Sequence, residues 1–180
     1  MKHRLNFTTL LLSLVILFTL CALTGRCSIR NGVDRSVIKS LDLDSYMGRW
    51  YEVARFDHSF ERGMTDVTAD YTLQPDGTVS VVNRGMRDGQ PTEAIGKAKT
   101  TSEAGRLRVS FFWIFYSDYN IMAMGPSGEW ALVGSSSPKY LWILSRKPKL
   151  TEVEINQILM LARDRGYDTS QLIFDKSRVD

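Results

Sequence analysis

Between residues 48 and 145 the apolar and polar positions alternate in short runs, the pattern of β-strands that bury one face. The runs are rich in β-branched and aromatic residues, and the breaks carry the glycine, proline, aspartate and serine that favour turns. We predict eight strands, at residues 48–56, 67–73, 78–84, 92–99, 106–111, 118–124, 130–134 and 140–145. Short connections favour antiparallel neighbours, so the pattern indicates an up-and-down barrel or a sandwich. A barrel of this size can close around one small ligand.

Beyond the last predicted strand the period changes to that of a helix. Thr151 can cap this helix, and Glu154 three residues later completes a capping box. Gly166 ends the segment. One face of the helix is apolar, with Ile155, Ile158, Leu159 and Ala162. We predict that it lies against the outside of the barrel, and that residues 171–174 add a short strand to the sheet edge.

The first residues have the charge order of an export signal. Lys2 and Arg4 precede an apolar run over residues 10–18, which is shorter than the roughly 20 apolar residues of a membrane-spanning helix. An uncleaved N-terminal anchor is the alternative to a cleaved signal peptide.

Cys27 is a candidate for lipid attachment. Residues 23–27 are close to a lipoprotein signal, although Arg26 stands where a small residue is expected. Acyl chains on Cys27 would tether the domain to a membrane. The predicted domains are residues 1–27 as signal peptide or membrane anchor, 28–40 as spacer, and 41–180 as a barrel with a C-terminal helix and strand.

Composition places the chain among folded globular proteins, with 43% hydrophobic and 24% charged residues among 180. The formal net charge is +3, and two of those charges belong to Lys2 and Arg4, so their removal leaves +1. Lysine and arginine do not cluster with aromatic residues, which argues against a nucleic-acid partner. Both cysteines, Cys21 and Cys27, precede the barrel, which therefore holds no disulfide, thiolate cluster or cysteine nucleophile. We expect no metal and no cofactor.

A glycine followed two residues later by a tryptophan opens the first predicted strand. Gly48 allows a tight or strained backbone, and the indole of Trp50 suits the narrow end of a barrel. An ordinary strand with a core tryptophan has the same pattern, so the interpretation depends on the rest of the chain.

Three motifs in order resemble those of the lipocalin family, and most closely those of bacterial outer-membrane members. They are Gly48-Arg49-Trp50-Tyr51, then Ser117-Asp118-Tyr119-Asn120, and last Leu144-Ser145-Arg146. The second motif resembles a Thr-Asp-Tyr turn into the sixth strand, with serine for threonine. Residues 55–63 and 140–144 are also similar to bacterial members. The resemblance runs from Leu43 onward and implies an all-β fold, an eight-stranded antiparallel up-and-down barrel with one C-terminal helix. It also implies that Arg146 packs across Trp50, so that Gly48, Trp50 and Arg146 build the barrel floor.

The resemblance further implies binding, storage or transport of small hydrophobic ligands, such as fatty acids or lysophospholipids, at the bacterial cell envelope. The implied partners are that lipid and a membrane, with a homodimer as a further expectation. Two alternatives stay open. One is an envelope-anchored interaction protein with an incidental cavity. The other is a lipocalin-type enzyme, which the lack of a Ser–His pair at a recognisable spacing disfavours.

Alternation along the last predicted strand places Trp142 on one face with Tyr140 and Leu144. We predict that this face points inward, because the in-phase Arg146 then reaches Trp50. The alternative is an outward face under the C-terminal helix.

The same alternation places Ala54 and Phe56 of the first strand on the face of Trp50. Tyr119 can orient a ligand headgroup, whereas Asp118 beside it can fix a turn. The predicted cavity residues are therefore Trp142, Tyr140, Ala54, Phe56 and Tyr119.

An aromatic run over residues 111–116 follows the fifth strand. If exposed, Phe112, Trp113 and Phe115 would form a lip at the barrel mouth, as a ligand portal or a membrane contact. The alternative is a buried strand end.

Two polar residues complete the candidates. We expect His58, in the loop after the first strand, to be solvated, because His3 is the only other histidine and no pair forms. Glu52 is in phase with Trp50 and would need a partner inside the barrel, for which Arg108 is a candidate.

Overall fold

Eight antiparallel strands follow one another along the chain and close into a barrel, in a computed structural model that describes residues 32–112 and 114–179. The strands are β1 (Gly48–Phe56), β2 (Met64–Leu73), β3 (Val79–Arg87), β4 (Gln90–Thr100), β5 (Arg106–Phe112), β6 (Phe115–Met124), β7 (Trp130–Gly134) and β8 (Leu141–Ser145). Each strand pairs with the next, and β1 pairs with both β8 and β2, which closes the sheet. The predicted fold class is confirmed.

The second motif lies inside a strand and is not a turn. Residues 117–120 belong to the middle of β6, where Ser117 pairs with Val109 and Asn120 with Arg106. Asp118 forms an ion pair with Arg108 of β5, with Nε and Oδ1 3.3 Å apart. The predicted turn and the turn-fixing role of Asp118 are therefore wrong.

The up-and-down order separates two ends of the barrel. We call the end at which β1 begins the floor, and the opposite end the mouth. Four connections join strands at the mouth. They are residues 57–63, residues 88–89, the connection between β5 and β6, and residues 135–140. Strands β1, β3, β5 and β7 therefore end at the mouth.

The C-terminal segment packs outside the barrel, as predicted. Helix α2 (Glu152–Asp164) begins with the capping box, in which the Thr151 backbone N–H donates to Glu154 Oε2 at 2.9 Å. After α2 a short 3-10 helix (Thr169–Gln171) leads into β9 (Leu172–Phe174). Strand β9 pairs antiparallel with the mouth half of β1 and extends the sheet. A single helical turn, α1 (Leu43–Tyr46), precedes β1.

Two apolar clusters lie on opposite sides of the barrel wall. The inner cluster lies inside the barrel and includes Trp50, Val79, Ile121 and Leu144. The outer cluster lies between the sheet and α2, and includes Leu132, Ile143, Ile158 and Ala162. Alternating strand positions therefore face two different cores.

Part of the predicted spacer packs on the barrel. The backbone N–H of Asp34 donates to the carbonyl of Arg165 at 2.8 Å, and that of Ile38 donates to Ile121 at 2.9 Å. The predicted signal peptide or anchor, with Cys27, lies outside the described residues. Within the described ranges, no helix has the length and apolar character to cross a membrane.

Candidate functional site

The floor is closed by the stacked pair of Arg146 and Trp50. The guanidinium carbon lies 3.9 Å from the centroid of the indole. Arg146 Nη1 donates to the Arg49 carbonyl at 3.0 Å, and Nη2 donates to the Ser45 carbonyl at 2.6 Å. This is the contact that the resemblance implies, and two hydrogen bonds hold it in place.

The backbone at Gly48 allows this approach. Gly48 has a φ of +87°, a conformation that L side chains rarely adopt, and a Cβ there would lie 3.5 Å from Arg146 Nη1. Trp50 is fully buried, and its Nε1 donates to the Tyr46 carbonyl at 3.0 Å. The floor is thus sealed to solvent.

Toward the mouth the interior opens. On β5 the inward-facing Leu107 is buried, whereas Val109 and Phe111 are partly exposed. On β4 the inward-facing Ala98 is 3% exposed, and Ala94, two inward positions nearer the mouth, is exposed. The pairing of β3 with β4 runs without a register shift, so Ala94 and Ala98 share a face. The interior is thus closed at the floor, and the inner faces of β4 and β5 become exposed toward the mouth. We call this interior the cup.

A β-bulge in β1 reverses the predicted facing of its second half. Between β1 and β8 the register shifts from Glu52↔Leu144 to Ala54↔Ile143, so that Val53 is the extra residue. Ala54 and Phe56 consequently lie in the outer cluster under α2, and their assignment to the cavity is wrong. Phe56 packs edge-on against Tyr167, at 6.1 Å between centroids.

The bulge turns Arg55 into the interior instead. Its Nη2 donates to the carbonyls of Glu61 and Met64, at 2.9 and 3.1 Å. Arg55 thereby joins the mouth half of β1 to the loop over residues 57–63 and to the start of β2. This link matters because β1 pairs with β9 and not with β2 over residues 54–56.

Two buried carboxylates surround this guanidinium. Arg55 Nη1 donates to Glu52 Oε1 at 2.7 Å, and Arg55 Nε lies 3.9 Å from Glu61 Oε2. The same Glu61 oxygen accepts a hydrogen bond from Trp142 Nε1 at 3.1 Å. Glu52 therefore does need a partner, but the partner is Arg55, because Arg108 pairs with Asp118 outside.

Burial, and after it the negative charge of Glu61, raises the pKa of Glu52 to about 8 against the opposing effect of Arg55. The single guanidinium of Arg55 cannot balance two buried carboxylates, so one of the two acids keeps its proton. At neutral pH Glu52 is thus mainly protonated.

Four rings adjoin these charges at the mouth. His58 stacks on Phe60 at 4.0 Å between centroids and lies 5.2 Å from Trp142, and Tyr140 stacks on Trp142 at 5.9 Å. His58 is buried, so the prediction that it is solvated is wrong. Its Nε2 lies 3.1 Å from Glu61 Oε2. We name Glu52, Arg55, His58, Phe60, Glu61, Tyr140 and Trp142 the mouth cluster.

The predicted cavity residues Trp142 and Tyr140 thus lie in the mouth cluster, and Trp142 also packs on the inner cluster, as the alternation predicts. Leu141 and Ile143 face the outer cluster. Whether Trp142 and Tyr140 touch a ligand stays a prediction.

Tyr119, the remaining predicted cavity residue, lies deeper in a trio of hydroxyls. Its hydroxyl is 2.7 Å from that of Tyr46 and 3.1 Å from that of Tyr71. Burial raises the pKa of Tyr71 to about 12 and that of the other two well above the ordinary value, so all three stay protonated. Two contacts use two of the three hydroxyl protons, and the third is not used within the trio. Whether Tyr119 touches a ligand stays a prediction.

The aromatic lip is exposed. Phe112, Ile114 and Phe115 are 75%, 78% and 77% exposed at the mouth. The alternative of a buried strand end is therefore wrong for Phe112 and Phe115. Trp113 lies outside the described residues.

A separate cleft of about 440 Å³ lies at the mouth ends of β2, β3 and β4. Its lining includes Asp66, Arg84 and Glu93, and the last two form an ion pair at 2.8 Å. The lining mixes these charged side chains with the apolar Met86 and Pro91. Among residues 32–112 and 114–179, no group of three histidine, cysteine or acidic side chains is placed to hold a metal.

Comparison with known proteins shows the family to which the chain belongs. A family model described as a lipocalin-like domain matches residues 41–177. The chain is a lipocalin. The outer membrane lipoprotein Blc of Vibrio cholerae serotype O1 is 41% identical to this lipocalin over 150 residues, which cover 79% of this chain and 88% of that protein. The protein of the same name from Escherichia coli K12 is 41% identical over 143 residues, covering 77% and 81%.

The fold also matches solved structures. Insecticyanin from the tobacco hornworm Manduca sexta superposes with a TM-score of 0.66 at 18% identity, covering 79% of this lipocalin and 84% of that chain. This likeness supports the fold alone. The names of the bacterial relatives agree with the predicted location at the cell envelope.

Sequence reasoning missed Arg55 and Glu61, and it misjudged His58. Alternation puts Arg55 outside, and only the bulge brings it in. One signal was present, because the loop places His58 and Phe60 two residues apart directly before Glu61. A loop that carries aromatic and charged residues beside a barrel mouth is a candidate lid for its interior.

Proposed function

We propose that this lipocalin binds and carries a lipid with a single acyl chain, such as a fatty acid or a lysophospholipid, at the cell envelope. The observation that carries the proposal is the exposure gradient from Ala98 and Leu107, buried near the floor, to Ala94 and Phe111 near the mouth. An acyl chain would occupy this cup, with about 0.8 kcal/mol gained for each methylene removed from water. The mouth cluster would face the headgroup.

The exposed lip supports an exchange of lipid with a membrane. Phe112, Ile114 and Phe115 present apolar side chains beside the opening of the cup, where a lipid enters or leaves. We propose that they touch the bilayer during transfer. Attachment through Cys27 would keep the mouth near a membrane, and an unmodified mature N-terminus in mass spectrometry would contradict that attachment.

We propose binding without catalysis. The described contacts of His58 are with Glu61 and with aromatic rings, and none of them is with a serine or cysteine nucleophile. A homodimer that extends the pocket stays a prediction.

The test is a titration of the purified, delipidated protein with fatty acids and lysophospholipids, followed by tryptophan fluorescence. Trp142 belongs to the mouth cluster and also packs on the inner cluster, so a ligand in the cup should change its emission. We expect saturable quenching at micromolar ligand. No response from folded protein would contradict the proposal and favour a role in binding a partner protein.

A further inference from the structure

The mouth cluster buries two carboxyl groups beside one guanidinium. The side chains of Glu52, Glu61 and Arg55 are 6%, 9% and 7% exposed, so all three are shielded from water. With both acids ionised their formal charges would sum to −1, and the proton that Glu52 holds at neutral pH removes this excess. Asp175 adds a further negative charge close enough to raise the pKa of Glu52. Burying an uncompensated charge is costly, so a cation bound beside the two carboxyl groups can take the place of that proton.

His58 contributes two buried ring nitrogens to the mouth cluster. Its side chain is 5% exposed, and neither ring nitrogen has a hydrogen-bond partner among the described residues, although Nε2 lies 3.1 Å from Glu61 Oε2. A buried polar atom without a partner is costly in a folded protein. In a neutral imidazole one nitrogen accepts a hydrogen bond.

The rings of the cluster suit a cation of organic character. Phe60, Tyr140 and Trp142 lie within 6.3 Å of a neighbouring ring in the cluster, measured between centroids, and Phe60 is 54% exposed at the rim. Aromatic faces attract ammonium groups, most strongly where water is partly excluded. Glu61 lies among these rings, since it accepts from Trp142 Nε1 and contacts His58.

We propose that the mouth cluster of this lipocalin binds the organic ammonium of a lipid headgroup, of the choline or ethanolamine kind, with Glu61 as the counter-ion and the rings around it. The inference rests on the proposed function, since the acyl chain of the same lipid would fill the cup. An anionic headgroup fits the cluster poorly, because it would add a negative charge beside the Glu61 carboxylate, whose charge Arg55 already balances.

The test compares lipids that share one acyl chain and differ in the headgroup. Delipidated protein is titrated with lysophosphatidylcholine, lysophosphatidylethanolamine, lysophosphatidylglycerol and the free fatty acid, with tryptophan fluorescence as the readout. We expect the two ammonium lipids to bind about tenfold more tightly than the two anionic lipids. A preference for choline alone would point to the rings, and a preference for ethanolamine alone to Glu61 and His58; either supports the inference.

Two variants locate the preference. Glu61→Gln removes the charge and keeps an oxygen that accepts from Trp142 Nε1, so it should bring the four affinities together. Asp57→Asn is the matched control, because it removes one charge from the same loop at an exposed ion pair with Arg62, and it should leave the preference unchanged. If Glu61→Gln fails to fold, Tyr140→Leu removes a ring of the cluster and should weaken the ammonium lipids alone.

The outcomes separate this inference from the proposed function. Equal binding of all four lipids to the unaltered protein overturns the inference and leaves the proposed function standing. A preference that survives in Glu61→Gln also overturns it, as does an equal loss of all four lipids in that variant. Failure of every lipid to bind folded protein overturns the proposed function, and the inference with it.

Discussion

Glu52 makes the stability of the barrel depend on pH. Arg55, Glu61 and Asp175 face it, and burial is the main cause that raises its pKa from 4.5 to about 8. Between these values the folded protein keeps a proton that the unfolded chain has released. The free energy of unfolding therefore falls as the pH rises from about 4.5 through about 8, and the contribution is fully present only below about 4.5.

Glu52→Gln should flatten this dependence, because the amide does not ionise. The lost slope amounts to at most about 1.4 kcal/mol per pH unit. Urea unfolding from about pH 5 to about pH 9 measures it. Glu93→Gln, which changes an exposed carboxylate paired with Arg84, should keep the slope of the unaltered protein. Stability that is constant or rises across this range in the unaltered protein would contradict the account.

Arg146 should contribute to stability well beyond an ordinary surface arginine. It stacks on Trp50 and donates to two backbone carbonyls, so Arg146→Leu should lower the free energy of unfolding by about 1–3 kcal/mol. Arg108→Leu breaks an exposed ion pair and should cost less than about 1 kcal/mol. Equal losses in the two variants would mean that the floor contact does not stabilise the barrel.

At the scale of a strand, the bulge in β1 decides what the interior contains. Alternation is a local rule, and it holds along β8, where Trp142 faces the interior and Leu141 faces α2. It fails in β1, because the mouth half of that strand is buried on both faces and the apolar pattern does not reveal the extra residue at Val53. The position of Arg55 depends on that residue and could not be predicted from the pattern.

The lip between β5 and β6 should govern the rate at which lipid enters. Phe112→Ser combined with Phe115→Ser should slow the uptake of a fluorescent lysolipid from vesicles several-fold. The free energy of unfolding should change by less than about 0.5 kcal/mol per site, since both rings are exposed. Val153→Ser removes an equally exposed apolar side chain from α2 and should leave uptake unchanged. Unchanged uptake in the double variant would exclude the lip as the portal.

At the scale of the whole molecule, the fold could be predicted because its signals are local and repeated. Turn residues recur between alternating runs, and a capping box announces α2. The floor was implied by motifs far apart in sequence, Gly48 with Trp50 and Arg146. The mouth cluster could not be predicted in this way, because it requires loop 57–63 to fold back over β1 and β8. Neither of these two strands carries a sequence signal for its contact with the loop.

Two neighbouring residues of β4 allow a direct test of whether lipid binds inside the cup. Ala94 faces the interior, and Ile95 faces outward and is 66% exposed. Ala94→Phe places a phenyl ring in the cup, whereas Ile95→Phe places the same ring outside.

The decisive measurement is the affinity of lysophospholipid for these two variants and the unaltered protein. We predict that Ala94→Phe, still folded, loses lipid binding about tenfold or more, the loss of roughly two buried methylenes, and that Ile95→Phe binds as the unaltered protein does. Equal affinity in all three would contradict the account, because the lipid would then be bound elsewhere than in the barrel.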